Sequence, residues 1–189
     1  MSNVAAIAFR GLFVLSSVIV LALSVDLAKQ QVIGSPPAET SFDSFAGAFG
    51  VIASFVAILA LFIKAVPRIA VIALDALASV FFLAGAVALT VALKPVSSCT
   101  SNSQTARGQR YVNKLLNGGC RHDGDNLVCP NAGKATNSNN IDSYTSGRCQ
   151  MVQADYVFGY IGFVFGVASV FLSYLAHKRG GVSTTATYV

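Results

Sequence analysis

The chain has 189 residues, 54% hydrophobic and only 11% charged. An average soluble domain carries about 25% charged residues, so this composition excludes an ordinary water-soluble enzyme. The net charge of +5 is scattered, with no basic run longer than Lys178-Arg179, which argues against nucleic acid as a partner.

The apolar residues gather into four runs, 4–25, 45–63, 69–93 and 152–176. Each is close to the ~20 residues that a helix needs to cross ~30 Å of hydrocarbon. None has the alternation of a barrel strand. The expected fold is therefore all-α: a four-transmembrane-helix bundle forming one domain over residues 1–176, with a loop over 94–150 and a polar tail over 177–189.

The first run exceeds the apolar core of a secretory signal, and its only early charge, Arg10, lies inside the run, so a retained span is expected. Gly34, Ser35, Pro36 and Pro37 break the chain after it, and Ser41 or Asp43 is a candidate cap for the second span. Lys64 to Arg68 is a short turn, so spans two and three form an antiparallel hairpin. Lys64, Arg68, His177, Lys178 and Arg179 favour the cytosol for that turn and for both termini, against Lys29, Lys94 and Arg148 at the other ends.

All four cysteines, Cys99, Cys120, Cys129 and Cys149, fall in the one loop between spans three and four. An even count confined to one side points to disulfides in an oxidising compartment. Cys99 and Cys149 each lie a few residues from a span end, which favours a nested pairing, Cys99–Cys149 outside Cys120–Cys129. A zinc site is the alternative, but the spacings contain no C-x2-4-C pair. The stretches 100–108 and 132–146 have too few apolar residues for a core, and 111–116 (YVNKLL) is the best candidate for a short helix or membrane-facing patch. No N-x-[ST] sequon occurs in the loop.

Asp75 is the sharpest single feature. A charge at mid-membrane costs ~2.5–3.5 kcal/mol, so it usually has a partner. Arg10 and Asp75 each lie six residues into their runs, about 9 Å deep, and could meet as an ion pair between helices one and three. The pair reads either as a register lock or as a proton or ion site. Asp26 and Asp155 lie near span ends and read as interfacial. Ala46 and Gly50, and Gly159, Gly162 and Gly166, are small-residue patterns that allow close packing, within the bundle or between copies. Tyr156, Tyr160 and Tyr174 fit an aromatic belt. The two histidines, His122 and His177, form no catalytic or haem-ligating pattern, so no enzyme, metal or cofactor is expected beyond bound membrane lipid.

Residues 74–85 (LDALASVFFLAG), Ser98-Cys99, residues 146–150 (SGRCQ) and Arg10 resemble the fungal MARVEL-domain proteins of the non-classical export type. The loop is longer than that pattern, with Cys120 and Cys129 additional. Tetraspanins and claudins fit less well, because the chain has no Trp and no adjacent cysteines. The resemblance implies a plasma-membrane organiser of eisosome-like microdomains, with sphingolipid or sterol, further copies of the chain and other microdomain proteins as partners. A small transporter or channel using Arg10 and Asp75, or a trafficking adaptor acting through the tail, are the alternatives.

Overall fold

Inside hydrocarbon no water is available to backbone amides and carbonyls, so each apolar run closes its hydrogen bonds on itself as a helix. The computed structural model describes residues 3–62, 67–124, 126–129 and 138–180. Within them lie α1 (Asn3–Lys29), α2 (Ala38–Phe62), α3 (Arg68–Leu93), a short α4 (Gln104–Val112), the strands β1 (Arg121–Asp123) and β2 (Asn126–Val128), and a long α5 (Ser138–Gly180). Four helices, α1, α2, α3 and α5, are long and apolar enough to cross a membrane. Residues 63–66, including Lys64 of the expected turn, and 181–189 of the tail lie outside the described residues.

The helices run further than the apolar runs that announce them. Helix α2 starts straight after Pro36-Pro37, where proline's missing amide is harmless, so Ser41 and Asp43 sit inside it rather than capping it. Helix α5 begins at Ser138, fourteen residues before position 152. At 1.5 Å per residue its 43 residues span about 65 Å, more than the bilayer, so its first turns project into the loop.

The four long helices pack as a ring, α1 on α2, α2 on α3, α3 on α5 and α5 on α1. Consequently α1 faces α3, and α2 faces α5, across the diagonals. Buried positions on α1 (Phe13, Ser17, Val20, Ser24, Leu27) and α3 (Val71, Asp75, Ala78, Phe82, Ala86, Leu89, Leu93) recur every three or four residues, the stripe a bundle helix turns inward. Phe13, Val20, Ala53, Ala78 and Phe82 form the middle of the core. Leu27, Leu89, Leu93 and Val152 form a second core at the loop end.

Glycines set the helix spacing. A Cβ on Gly50 would sit 2.5 Å from Ser17 Oγ and 2.7 Å from a Phe82 ring carbon, and one on Gly47 would press on the Leu21 backbone. Gly50→Ala should therefore destabilise the protein by about 1–3 kcal/mol through overpacking, outweighing the ~1 kcal/mol that alanine gains in helix propensity. Gly147→Ala, which meets nothing within 4 Å, should leave stability unchanged or slightly higher. Thermal unfolding of the two variants in one detergent checks this.

Candidate functional site

The inward stripe of α1 begins with Arg10, and that of α3 carries Asp75 in the same phase. Arg10 Nη2 donates to Asp75 Oδ2 at 2.9 Å and to Ser173 Oγ of α5 at 3.1 Å. Asp75 is 1% exposed and Arg10 21%. The two helices are not neighbours, so the pair bridges a diagonal instead of a helix-helix contact, and Ser173 draws a third helix into it. Several interior serine hydroxyls donate to the preceding turn: Ser17 to the Phe13 carbonyl, Ser54 to Gly50 and Ser79 to Asp75.

A second pair lies on the other diagonal. Asp43 of α2 and Asp155 of α5 are both fully buried, and their carboxyls face one another. This corrects the interfacial reading of Asp155. Position near a span end was the wrong guide, because Asp155 shares the phase of Val152, Gly159, Gly162 and Gly166 and so points inward. Asp26, by contrast, is exposed, where Gln30 Nε2 donates to it at 2.8 Å. Along α3 the Asp75 level and the Gly85 level, where Asp43 packs, are ten residues or about 15 Å apart. Phe82 and Phe13, with ring centroids 5.5 Å apart, fill the space between.

All five small residues singled out from the sequence are spent inside the bundle. Ala46 is buried, Gly50 and Gly162 abut Phe82, Gly159 abuts Ala86, and Gly166 abuts Ser79 and Phe13. Each of them thereby packs within the bundle. Outward, the helices present large apolar side chains: Phe45, Ile52, Phe55, Val80, Val164 and Phe171 are exposed. Phe42, Phe45, Phe49 and Phe81 form a ridge of rings on α2 and α3, with centroids 5.1–6.3 Å apart. Tyr160, Ile161, Val164 and Phe165 line a shallow groove of about 230 Å³ on α5. At its edge the Tyr160 and Thr90 hydroxyls lie 3.2 Å apart.

The loop folds down as a lid. Disulfides join Cys99 to Cys149 and Cys120 to Cys129. The inner one closes the β1–β2 hairpin, in which Arg121 pairs with Val128 and His122 with Leu127. The helix expected over 111–116 lies earlier, at α4, capped by Ser103 Oγ accepting from the Ala106 amide at 3.3 Å. Leu115 and Leu116 do not face the membrane; they plug the bundle end against Leu27, Leu89 and Val152. The 100–108 stretch needs no apolar core because Arg110, itself buried, does the joining. It donates to the Ser98 and Ser101 carbonyls and to Asp142 Oδ1 of α5, the last at 2.5 Å. Arg148, also buried, donates to the Gln30 carbonyl at 3.0 Å and to that of Leu27 at 3.5 Å, satisfying the open end of α1. Sequence reasoning missed both arginines as structural groups.

The family profile described as MARVEL, a membrane-associating domain, matches residues 4–172. The chain belongs to the MARVEL family. Comparison with curated proteins and with solved structures gave no match. As a MARVEL protein with four apolar helices, it is a multi-pass membrane protein, and the matched region reaches from the first of them into the fourth.

Within the MARVEL bundle the Arg10–Asp75 bridge makes a specific prediction. Arg10→Ala leaves a buried carboxylate without its cation, which costs on the order of 3 kcal/mol. Arg10→Ala with Asp75→Asn should recover most of that loss, because the neutral amide needs no counter-charge. Melting midpoints of the two single variants and the double variant, compared as a cycle, measure the coupling.

Proposed function

We propose that this MARVEL protein is a non-enzymatic organiser of the plasma membrane, which partitions or shapes membrane domains through contacts with lipid and lateral association of copies. The observation that supports this reading is the division across the bundle wall. Arg10 and Asp75 pair inside the bundle and interior serines bond within their own helices, while large apolar side chains such as Ile52, Phe55, Val80 and Phe171 are exposed on the outside. Exposed patches of this kind mark interaction surfaces; for a membrane bundle the first partner is lipid. The α5 groove suits a length of lipid chain or a flat sterol ring, with the Thr90 and Tyr160 hydroxyls at its edge to meet a polar group. Because the glycines are occupied within the bundle, association between copies falls to outward residues, with the Phe45–Phe81 ridge the best-formed surface.

Two disulfides confined to the loop support a reading in which the loop faces the oxidising side and the N-terminus and far end of α5 lie in the cytosol. The finer reading, an eisosome-like furrow protein of the fungal non-classical export type, rests on the resemblance of residues 74–85 and 146–150. Transport through Arg10 and Asp75 is disfavoured by the Phe13–Phe82 layer, which separates that pair from the polar level beyond it.

Labelled protein in phase-separating giant vesicles containing sphingolipid and sterol should concentrate in one phase and bleach in several steps. Replacing Phe45 and Phe81 by Ala should return it towards single-step bleaching. Uniform distribution as single copies, together with an ion flux abolished by Asp75→Asn, would overturn the organiser reading in favour of a transporter. Altered sorting on deletion of residues 180–189 would favour the adaptor.

A further inference from the structure

Asp43 and Asp155 present a problem that Arg10 and Asp75 do not. Both side chains are 0% exposed, and among the described residues none of their four carboxylate oxygens has a hydrogen-bond donor. An ionised carboxylate only accepts hydrogen bonds. Two ionised groups would therefore set like charges face to face in a buried interior without a donor from the described protein groups.

The surrounding cations are committed elsewhere. On α5, Arg148 donates to the Gln30 and Leu27 carbonyls and faces Asp26. Lys114 pairs with Glu39 at 2.6 Å, Arg110 with Asp142, and Arg10 with Asp75 at the opposite end. Helix α1 brings Ser24 to this level, one turn from the Gly47–Leu21 contact, but its hydroxyl donates to the Val20 and Leu21 carbonyls. Helix α3 brings Gly85, where a Cβ would land on Asp43 Oδ1, and the apolar Leu89. The Tyr160 hydroxyl is placed with Thr90. Among the described residues, the one charged group acting on each aspartate is the other aspartate.

We propose that Asp43 and Asp155 form a proton-holding site, one proton shared between the two carboxyls and tying α2 to α5 across the second diagonal. The protonated carboxyl donates its O–H to the ionised partner, giving a charge-assisted O–H···O⁻ bond of the strong class. The proton takes the place that the Arg10 guanidinium takes beside Asp75. Loss of that proton to solvent leaves two facing carboxylates and drives α2 and α5 apart at the loop-bearing end.

The decisive measurement is the infrared spectrum of the protein in lipid bilayers at neutral pH. The site predicts the carbonyl stretch of a buried protonated carboxyl, lost on raising the pH and absent from Asp43→Asn and Asp155→Asn. The melting midpoint of the unaltered protein should fall by several degrees from neutral to alkaline pH. In Asp155→Asn, whose amide donates an N–H in place of the proton, it should stay flat. Carboxylate bands alone at neutral pH would overturn the proposal. So would a midpoint raised by sodium or calcium but indifferent to alkali, which would put a metal ion between the aspartates. If the asparagine variants do not fold, the pH-dependent spectrum of the unaltered protein decides by itself.

Discussion

A charge enclosed in hydrocarbon has to be answered at its own level of the bundle, and in this protein the answers lie on the diagonals. Each unanswered charge would cost ~2.5–3.5 kcal/mol at mid-membrane. Arg10 and Asp75, 2.9 Å apart, answer one another from α1 to α3, and Ser173 adds α5. A bond across a diagonal constrains more than a bond between neighbours. It can form only when both helices present the right face and sit at the right height. Sliding one of them by a turn, about 5.4 Å, would break it. Asp43 and Asp155 face one another on the other diagonal, at the level of Gly85.

The diagonals are short enough to bridge because the neighbouring backbones come close. Lipid offers no hydrophobic drive for helices to associate, so close van der Waals contact and internal hydrogen bonds have to supply it. Gly47 against Leu21, Gly159 against Ala86 and Gly162 against Phe82 remove the side chains that would hold the backbones apart. Phe82, fully buried, then fills the space that the glycines leave at the centre. On the outside, the exposed Phe45 ring meets the half-buried Phe81 and Phe49 rings.

How much of this could be read from the chain depended on which physical signal was used. Run length sufficed for the four helices, and equal depth brought Arg10 and Asp75 to one level. Distance from a span end misplaced Asp155, and a capping role misplaced Asp43, where helical phase would have served. Asp43 is in step with Ala46 and Gly50, and Asp155 with Gly159 and Gly162, so both continue the small-residue face. The loop was harder for a different reason. Its polar composition reads as unable to hold a core, yet Arg110 and Arg148 satisfy backbone carbonyls from several segments at once, a long-range arrangement with no local pattern. Leu115 and Leu116 are two apolar residues in a polar stretch. Only the open end of the bundle beneath them explains where they go.

The two ends of the bundle are held by different means. At the loop end, the Cys99–Cys149 bond ties the exit of α3 to α5, and Arg148 ties α5 to the end of α1. The loop adds Asn113, donating to the Ala92 carbonyl at 2.9 Å, and the leucine plug fills what remains. A covalent bond closing a loop of about 50 residues restricts the unfolded chain by roughly 4 kcal/mol, and the buried arginines resist shear within the folded one. At the opposite end, the long-range side-chain hydrogen bonds among the described residues are those of Arg10 to Asp75 and Ser173. Among the described residues, the loop end is therefore tied covalently and through buried arginines, and the Arg10 end through one ion pair and its serine.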